Sequence, residues 1–108
     1  MGVPTINIYS SKGLAEQEIV SKLRPFAAEH LSYGDTKLKP EEVSIRFIKS
    51  SGQMIGDVEL EITAHSFKER VNRQDEIANE FRDFLMKEFP ELENVRVWIK
   101  LSELGHSF

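Results

Sequence analysis

Residues 57–81 read DVELEITAHSFKERVNRQDEIANEF, and within this run the hydrophobic period changes. Val58, Leu60, Ile62 and Ala64 alternate with Glu59, Glu61, Thr63 and His65. A period of two is the mark of a strand with one buried face. Further on, Ile77, Phe81, Phe84, Leu85 and Phe89 fall at helical spacing and stop at Pro90, which cannot continue a helix. Asn72, followed by Asp75 and Glu76, predicts the helix start, with its acidic residues near the positive end of the helix dipole. A half-buried strand therefore runs into an amphipathic helix.

The rest of the chain repeats this order. After Pro90, Val95, Val97, Ile99 and Leu101 alternate with Arg96, Trp98 and Lys100, a strand that closes a strand-helix-strand unit. Before residue 57, Ile6 and Ile8 alternate with Thr5, Asn7 and Tyr9, and Val43, Ile45 and Phe47 alternate with Ser44 and Arg46. Between those two strands, Leu14, Ile19, Leu23, Phe26, Ala27 and Leu31 form a helical stripe from Gly13 to Ser32. Pro25 lies inside that helix, removes its hydrogen bond to the Ser21 carbonyl and predicts a kink. Corresponding strands of the two halves lie about 53 positions apart, so the chain reads as two copies of one unit. The joint, KSSGQMIGD from Lys49 to Asp57, reads as a loop. The expectation is a single α+β domain over residues 1–108, a two-layer sandwich. It holds a duplicated β-α-β unit (βαββαβ) in a four-stranded sheet, with two helices on one face.

Composition narrows the class. At 108 residues, with 40% hydrophobic and 30% charged residues, the chain suits one ordinary globular domain. It has no cysteine, which removes disulfides, thiolate metal sites and a cysteine nucleophile. Its histidines, at 30, 65 and 106, have no metal-ligand spacing, so no metal is expected. The formal net charge is -4 and its cations are interleaved with anions, which disfavours nucleic acid as a partner. No apolar run approaches the ~18 residues of a membrane span, and no basic stretch followed by an apolar run opens the chain. The expected location is the cytoplasm, away from membranes.

The face of the sheet that the helices leave open would show Thr5, Asn7, Tyr9, Ser44, Arg46, Ile48, Glu59, Glu61, Thr63, Arg96, Trp98 and Lys100. Two readings stand for it. It is a solvated face, or its charges pair and its aromatics pack against other subunits.

A proline just ahead of the first strand, the doubled strand-helix-strand unit and the basic segment after the third strand together resemble the tautomerase superfamily. That superfamily includes macrophage migration inhibitory factor, 4-oxalocrotonate tautomerase and 5-carboxymethyl-2-hydroxymuconate isomerase. Residues 57–81 look like the isomerase's third strand and second helix. The ending VRVWIKLSELGHSF looks more like an uncharacterised family of small proteins within the superfamily. The resemblance implies a homotrimer with a cofactor-independent keto-enol tautomerase or isomerase site near its subunit interfaces, taking a small carboxylate-bearing compound. It implies that Pro4 is the general base and that Lys68 or Arg70, which the alignment does not separate, holds the substrate, with Arg46 a further candidate. A chain-terminal amine has an ordinary pKa near 7.7 to 8.0, and burial or neighbouring cations lower it toward the optimum for a base at neutral pH.

In the sequence as written Val3 acylates Pro4, whose nitrogen is then an amide and not a base. Loss of Met1 alone would expose Gly2. Three readings follow. The first is a tautomerase trimmed to Pro4. The second is a non-catalytic binding or interaction protein on the same scaffold. The third is a ferredoxin-like module, since βαββαβ order describes that fold too. There a hairpin would join the middle strands, and the open face would bind RNA through aromatics, a use that Glu59 and Glu61 oppose.

Overall fold

In a computed structural model the described residues are 4–10, 13–32, 37–49, 58–65, 71–92 and 94–102. Over them the chain forms β1 (Thr5–Ser10), α1 (Glu16–Leu31), a single 3-10 turn (Pro40–Glu42), β2 (Ser44–Lys49), β3 (Val58–His65), α2 (Gln74–Glu88) and β4 (Val95–Ser102). The sheet order is β2-β1-β3-β4. β1 pairs with β2 in parallel, β3 with β4 in parallel, and β1 joins β3 antiparallel. Each β-α-β unit thus pairs its own two strands, and the two units meet at β1 and β3. The duplicated α+β architecture expected from the sequence is the observed one.

This order corrects the ferredoxin-like alternative. That reading needs a hairpin between β2 and β3. Here β1 lies between β2 and β4's partner β3, so β2 and β3 are not neighbours.

The strand registers stack the apolar positions into rows. One row is Ile45, Ile6, Ile62 and Ile99; the next is Phe47, Ile8, Leu60 and Val97. On the central strands Ile6, Ile8, Leu60 and Ile62 are at most 1% exposed, while Ile45, Phe47, Val97 and Ile99 on the edge strands are half-buried. Two helices laid on one face cover the middle of the sheet more fully than its margins. α1 contributes Ile19, Leu23, Ala27, Ala28 and Leu31, and α2 contributes Ile77, Phe81 and Leu85.

Aromatic packing ties the helices together. The Phe26 ring stacks on Phe84 at 4.0 Å and on His30 at 4.0 Å, and meets Phe81 edge-on at 5.0 Å. Such pairs add about 0.5–1.5 kcal/mol each beyond area burial. His30 Nδ1 of α1 lies 3.2 Å from Glu80 Oε1 of α2. Each helix also donates a side-chain hydrogen bond toward an edge strand, Arg24 Nε to the Val43 carbonyl and Gln74 Nε2 to the Ile99 carbonyl.

One local expectation, the start of α2, needs revision. α2 is capped at Arg73, with no side-chain cap bond, and not at Asn72. Residues 71 and 72 are already helical ahead of Arg73, which makes an ion pair with Glu76 at 3.1 Å. α1 begins at Glu16 and runs unbroken through Pro25 to Leu31. The buried stripe on both sides of the proline, Leu23 before it and Ala27, Ala28 and Leu31 after it, holds the helix against the sheet.

Phe81 is fully buried and edges onto Phe26. Phe81→Ala is expected to cost about 3–5 kcal/mol, through lost burial and the cavity left behind. Urea denaturation followed by far-ultraviolet circular dichroism checks this.

Candidate functional site

Pro4 is buried one residue ahead of β1, and its carbonyl accepts a hydrogen bond from the Ser44 N–H at 3.0 Å. By alternation it belongs to the helix-facing side, in line with Ile6 and Ile8. The ladder bond to Ser44 anchors it to the start of β2. Its own nitrogen carries Val3, and a residue without an N–H is tolerated at the first position of a strand. This end of the sheet gathers the starts of β1 and β2 and the ends of β3 and β4.

Of the other candidate residues, Lys68 and Arg70 lie outside the described residues, as do Met1 to Val3, His106 and the side chain of His65. Arg46 is exposed on β2, two residues beyond Ser44, opposite Asn7 and on the open face. Two residues of strand amount to about 7 Å. His30 lies on the helix layer beside Phe26 and Glu80 and has no part in this end. No cluster of potential metal ligands occurs among the described residues.

The open face is organised around Glu61. Lys100 Nζ lies 2.8 Å from Glu61 Oε2, while Asn7 Nδ2 and the Tyr9 hydroxyl donate to Glu61 Oε1 at 3.2 and 3.3 Å. The ammonium of Lys100 first, then the Asn7 amide, holds the Glu61 carboxyl below the ordinary carboxylate range, against a smaller opposing effect of burial. The same contact raises the pKa of Lys100. The Asn7 amide donates to Glu61, and its Oδ1 is buried with no hydrogen-bond partner among the described residues. Beside this network the Arg96 guanidinium lies 5.4 Å from the Trp98 ring centre, and Trp98 and Ile48 remain exposed.

On a face whose charges pair, Glu59 or Glu61 is the ion-pair partner open to Arg46. The registers explain why Lys100 takes the Glu61 carboxylate. Lys100 stands opposite Thr63 on the adjacent strand, a diagonal neighbour of Glu61. Arg46 is two strands away, across β1, at about 9–10 Å of sheet width. Arg46 has no ion-pair partner among the described residues. Sequence reading listed Glu61, Asn7, Tyr9 and Lys100 on one face but did not connect them. Only the β1–β3 and β3–β4 registers bring them together.

No known family profile matches the chain, and no curated protein matches it. Solved structures do. The Leishmania major MIF2 structure matches with a TM-score of 0.64 at 10% identity, over 98% of this chain and 94% of that one. The macrophage migration inhibitory factor-like protein of Entamoeba histolytica matches with 0.62 at 14% identity, over 94% and 88%. A 5-carboxymethyl-2-hydroxymuconate delta-isomerase matches with 0.60 at 13% identity, over 99% and 86%. The chain has the fold of macrophage migration inhibitory factor and of this isomerase, as the resemblance in its sequence implied. At these identities the likeness is one of fold.

The Glu61 network has a pH signature. A depressed carboxyl pKa stabilises the folded state fully above the unfolded-state value of about 4.3, and that stabilisation is lost as pH falls through the folded value. Glu61→Gln is expected to lower stability at pH 7 by about 1 kcal/mol, a modest figure because the Lys100 side chain is 67% exposed and screened by solvent. The gap to the parent should narrow as pH falls below the ordinary carboxylate range and through the lowered folded-state pKa of Glu61, where the carboxyl takes up a proton in the folded state too. Denaturant midpoints measured across that pH range check the sign.

Proposed function

We propose that this protein is a cofactor-independent keto-enol tautomerase or isomerase of a small carboxylate-bearing compound, working as a cytoplasmic homotrimer, with Pro4 as its base once residues 1–3 are removed. The observation that carries this reading is the placement of Pro4. It is buried at the head of β1 and fixed by the Ser44 bond, in a chain with the fold of 5-carboxymethyl-2-hydroxymuconate isomerase.

The chemistry follows from the amine. A free Pro4 nitrogen would be a secondary amine whose charged form is disfavoured by its buried, apolar surroundings, which lowers its pKa. It would take the proton of the substrate's enol hydroxyl and return a proton to the neighbouring carbon, so that the enol becomes the ketone with no net change in atoms. Cations from Lys68, Arg70 or Arg46 would hold the substrate carboxylate and stabilise the enolate, a role for which a bidentate guanidinium is well shaped. The trimer would turn the open sheet faces inward and cover the exposed Trp98 and Ile48.

One observation favours a second reading, a binding protein without catalysis. With Val3 in place Pro4 has an amide nitrogen and no basic lone pair.

The two readings separate on protein that begins at Pro4, confirmed by intact mass. It is expected to ketonise an aryl enolpyruvate at least about 100-fold faster than the chain beginning at Met1, in line with general-base contributions. Lys68→Ala combined with Arg70→Ala should raise KM about tenfold. Light scattering should give three times the chain mass of 12.4 kDa. Absence of turnover in the Pro4-initiated protein, with the fold retained, would favour the binding protein.

A further inference from the structure

The helix-facing side of the sheet breaks its apolar pattern at one end. Beyond the rows led by Ile45 and Phe47, the next row runs Lys49, Ser10, Val58 and Val95. Two of its positions are polar, and both belong to the first unit. At the corresponding end of the second unit the last helix-facing pair is Ala64 and Leu101. Binary patterning of a sheet calls for apolar residues at 10 and 49, and departures of this kind concentrate at functional sites.

A cavity of about 290 Å³ lies at this end, lined by Ile8, Ser10, Leu14, Glu16, Phe47 and Lys49 among others. Ser10 is only 5% exposed. Lys49 stands at the end of β2 and Glu16 in the first turn of α1. Neither has an ion-pair partner among the described residues, although they line the same cavity with opposite charges. Ile8, Leu14 and Phe47 supply the apolar part of the lining. The volume is at the lower end of the range for small-molecule sites, which points to a ligand of single-metabolite size. A lone anion here would meet Glu16 and a lone cation would meet Lys49. A compact zwitterion answers both.

We propose that this cavity binds a free α-amino acid with an apolar side chain. Its carboxylate would pair with Lys49, its ammonium with Glu16, and its side chain would rest on Ile8, Leu14 and Phe47. The site lies at the opposite end of β1 from Pro4, about 17–20 Å away by the length of a six-residue strand. It does not depend on the reaction proposed above.

The test is titration of the chain beginning at Met1 with L-leucine, followed by backbone amide NMR. Leucine at millimolar concentration is expected to shift the Ser10, Leu14, Glu16 and Lys49 signals saturably and to leave Ser44 and Thr63 unmoved. Two analogues, 4-methylpentanoate without the ammonium and 3-methylbutylamine without the carboxylate, should each bind about tenfold or more weakly, the loss of one charge-assisted contact. Lys49→Met and Gly13→Leu should each weaken leucine binding by a similar factor. Gly13 lines the cavity, and a Cβ there meets nothing within 4 Å. The idea is overturned if leucine shifts none of these signals, or if either analogue binds as tightly as leucine. It is also overturned if both variants bind as the parent does. The analogue series uses unaltered protein, so it decides the matter even if a variant fails to fold.

Discussion

The antiparallel seam between β1 and β3 is the constraint from which the rest of the molecule follows. Ile6 faces Ile62 and Ile8 faces Leu60 across it, and all four side chains are closed off from solvent. A slip of β3 by one residue would turn Leu60 and Ile62 outward and bring Glu59 and Glu61 under the helices. Burying two carboxylates in that position would cost several kcal/mol each in desolvation. The register is therefore fixed strongly, and it fixes the order of the sheet with it. Each unit adds its second strand in parallel on the outer side, as a crossover through a covering helix requires.

The same seam arranges the open face. Because Asn7 faces Glu61 and Tyr9 faces Glu59, a carboxylate on β3 comes within reach of two donors on β1 and of Lys100 on β4. Glu61 is then satisfied from both flanking strands at once. That leaves the cation on the other edge, Arg46, outside the network. A face with one saturated carboxylate, an exposed tryptophan and an uncommitted arginine is better suited to meeting another surface or a carboxylate than to remaining fully solvated.

Much of this was legible in the sequence. The period-two runs gave the strands and their inner faces, and the stripe from Ile77 to Phe89 gave α2 with its buried side. Burial imposes a repeating pattern on neighbouring positions, so it can be read locally. What was not legible depends on pairing between distant segments. Glu61 has one neighbour in Lys100, 39 positions away, and another in Asn7, 54 positions away, and only the registers select them over Arg46. The cap of α2 falls one residue beyond Asn72, at Arg73, because residues 71 and 72 are already helical, a continuity that capping preferences do not weigh. The cavity beside Ser10 was missed because a serine or a lysine at a strand end reads as the edge of the pattern. It becomes a polar intrusion only when the neighbouring strand shows valines in the same row.

Duplication explains why such an intrusion can persist. Two copies of one unit, joined through β1 and β3, give the sheet two related ends, each where the second strand of a unit finishes near the start of the other unit. Shared ancestry of form would make the ends alike, but their residues differ. One end brings Pro4 and Val43 beside Ala64 and Leu101, an apolar setting that disfavours charge. The other brings Ser10 and Lys49 beside Val58 and Val95, with Glu16 above them. A neutral amine base is favoured by the first setting and would be compromised by the second, where Glu16 would stabilise its protonated form. Conversely, among the described residues a zwitterion finds both its partners only at the second. The two ends are chemically incompatible with each other's proposed task, and this makes a division of roles along β1 consistent with the residues each end holds.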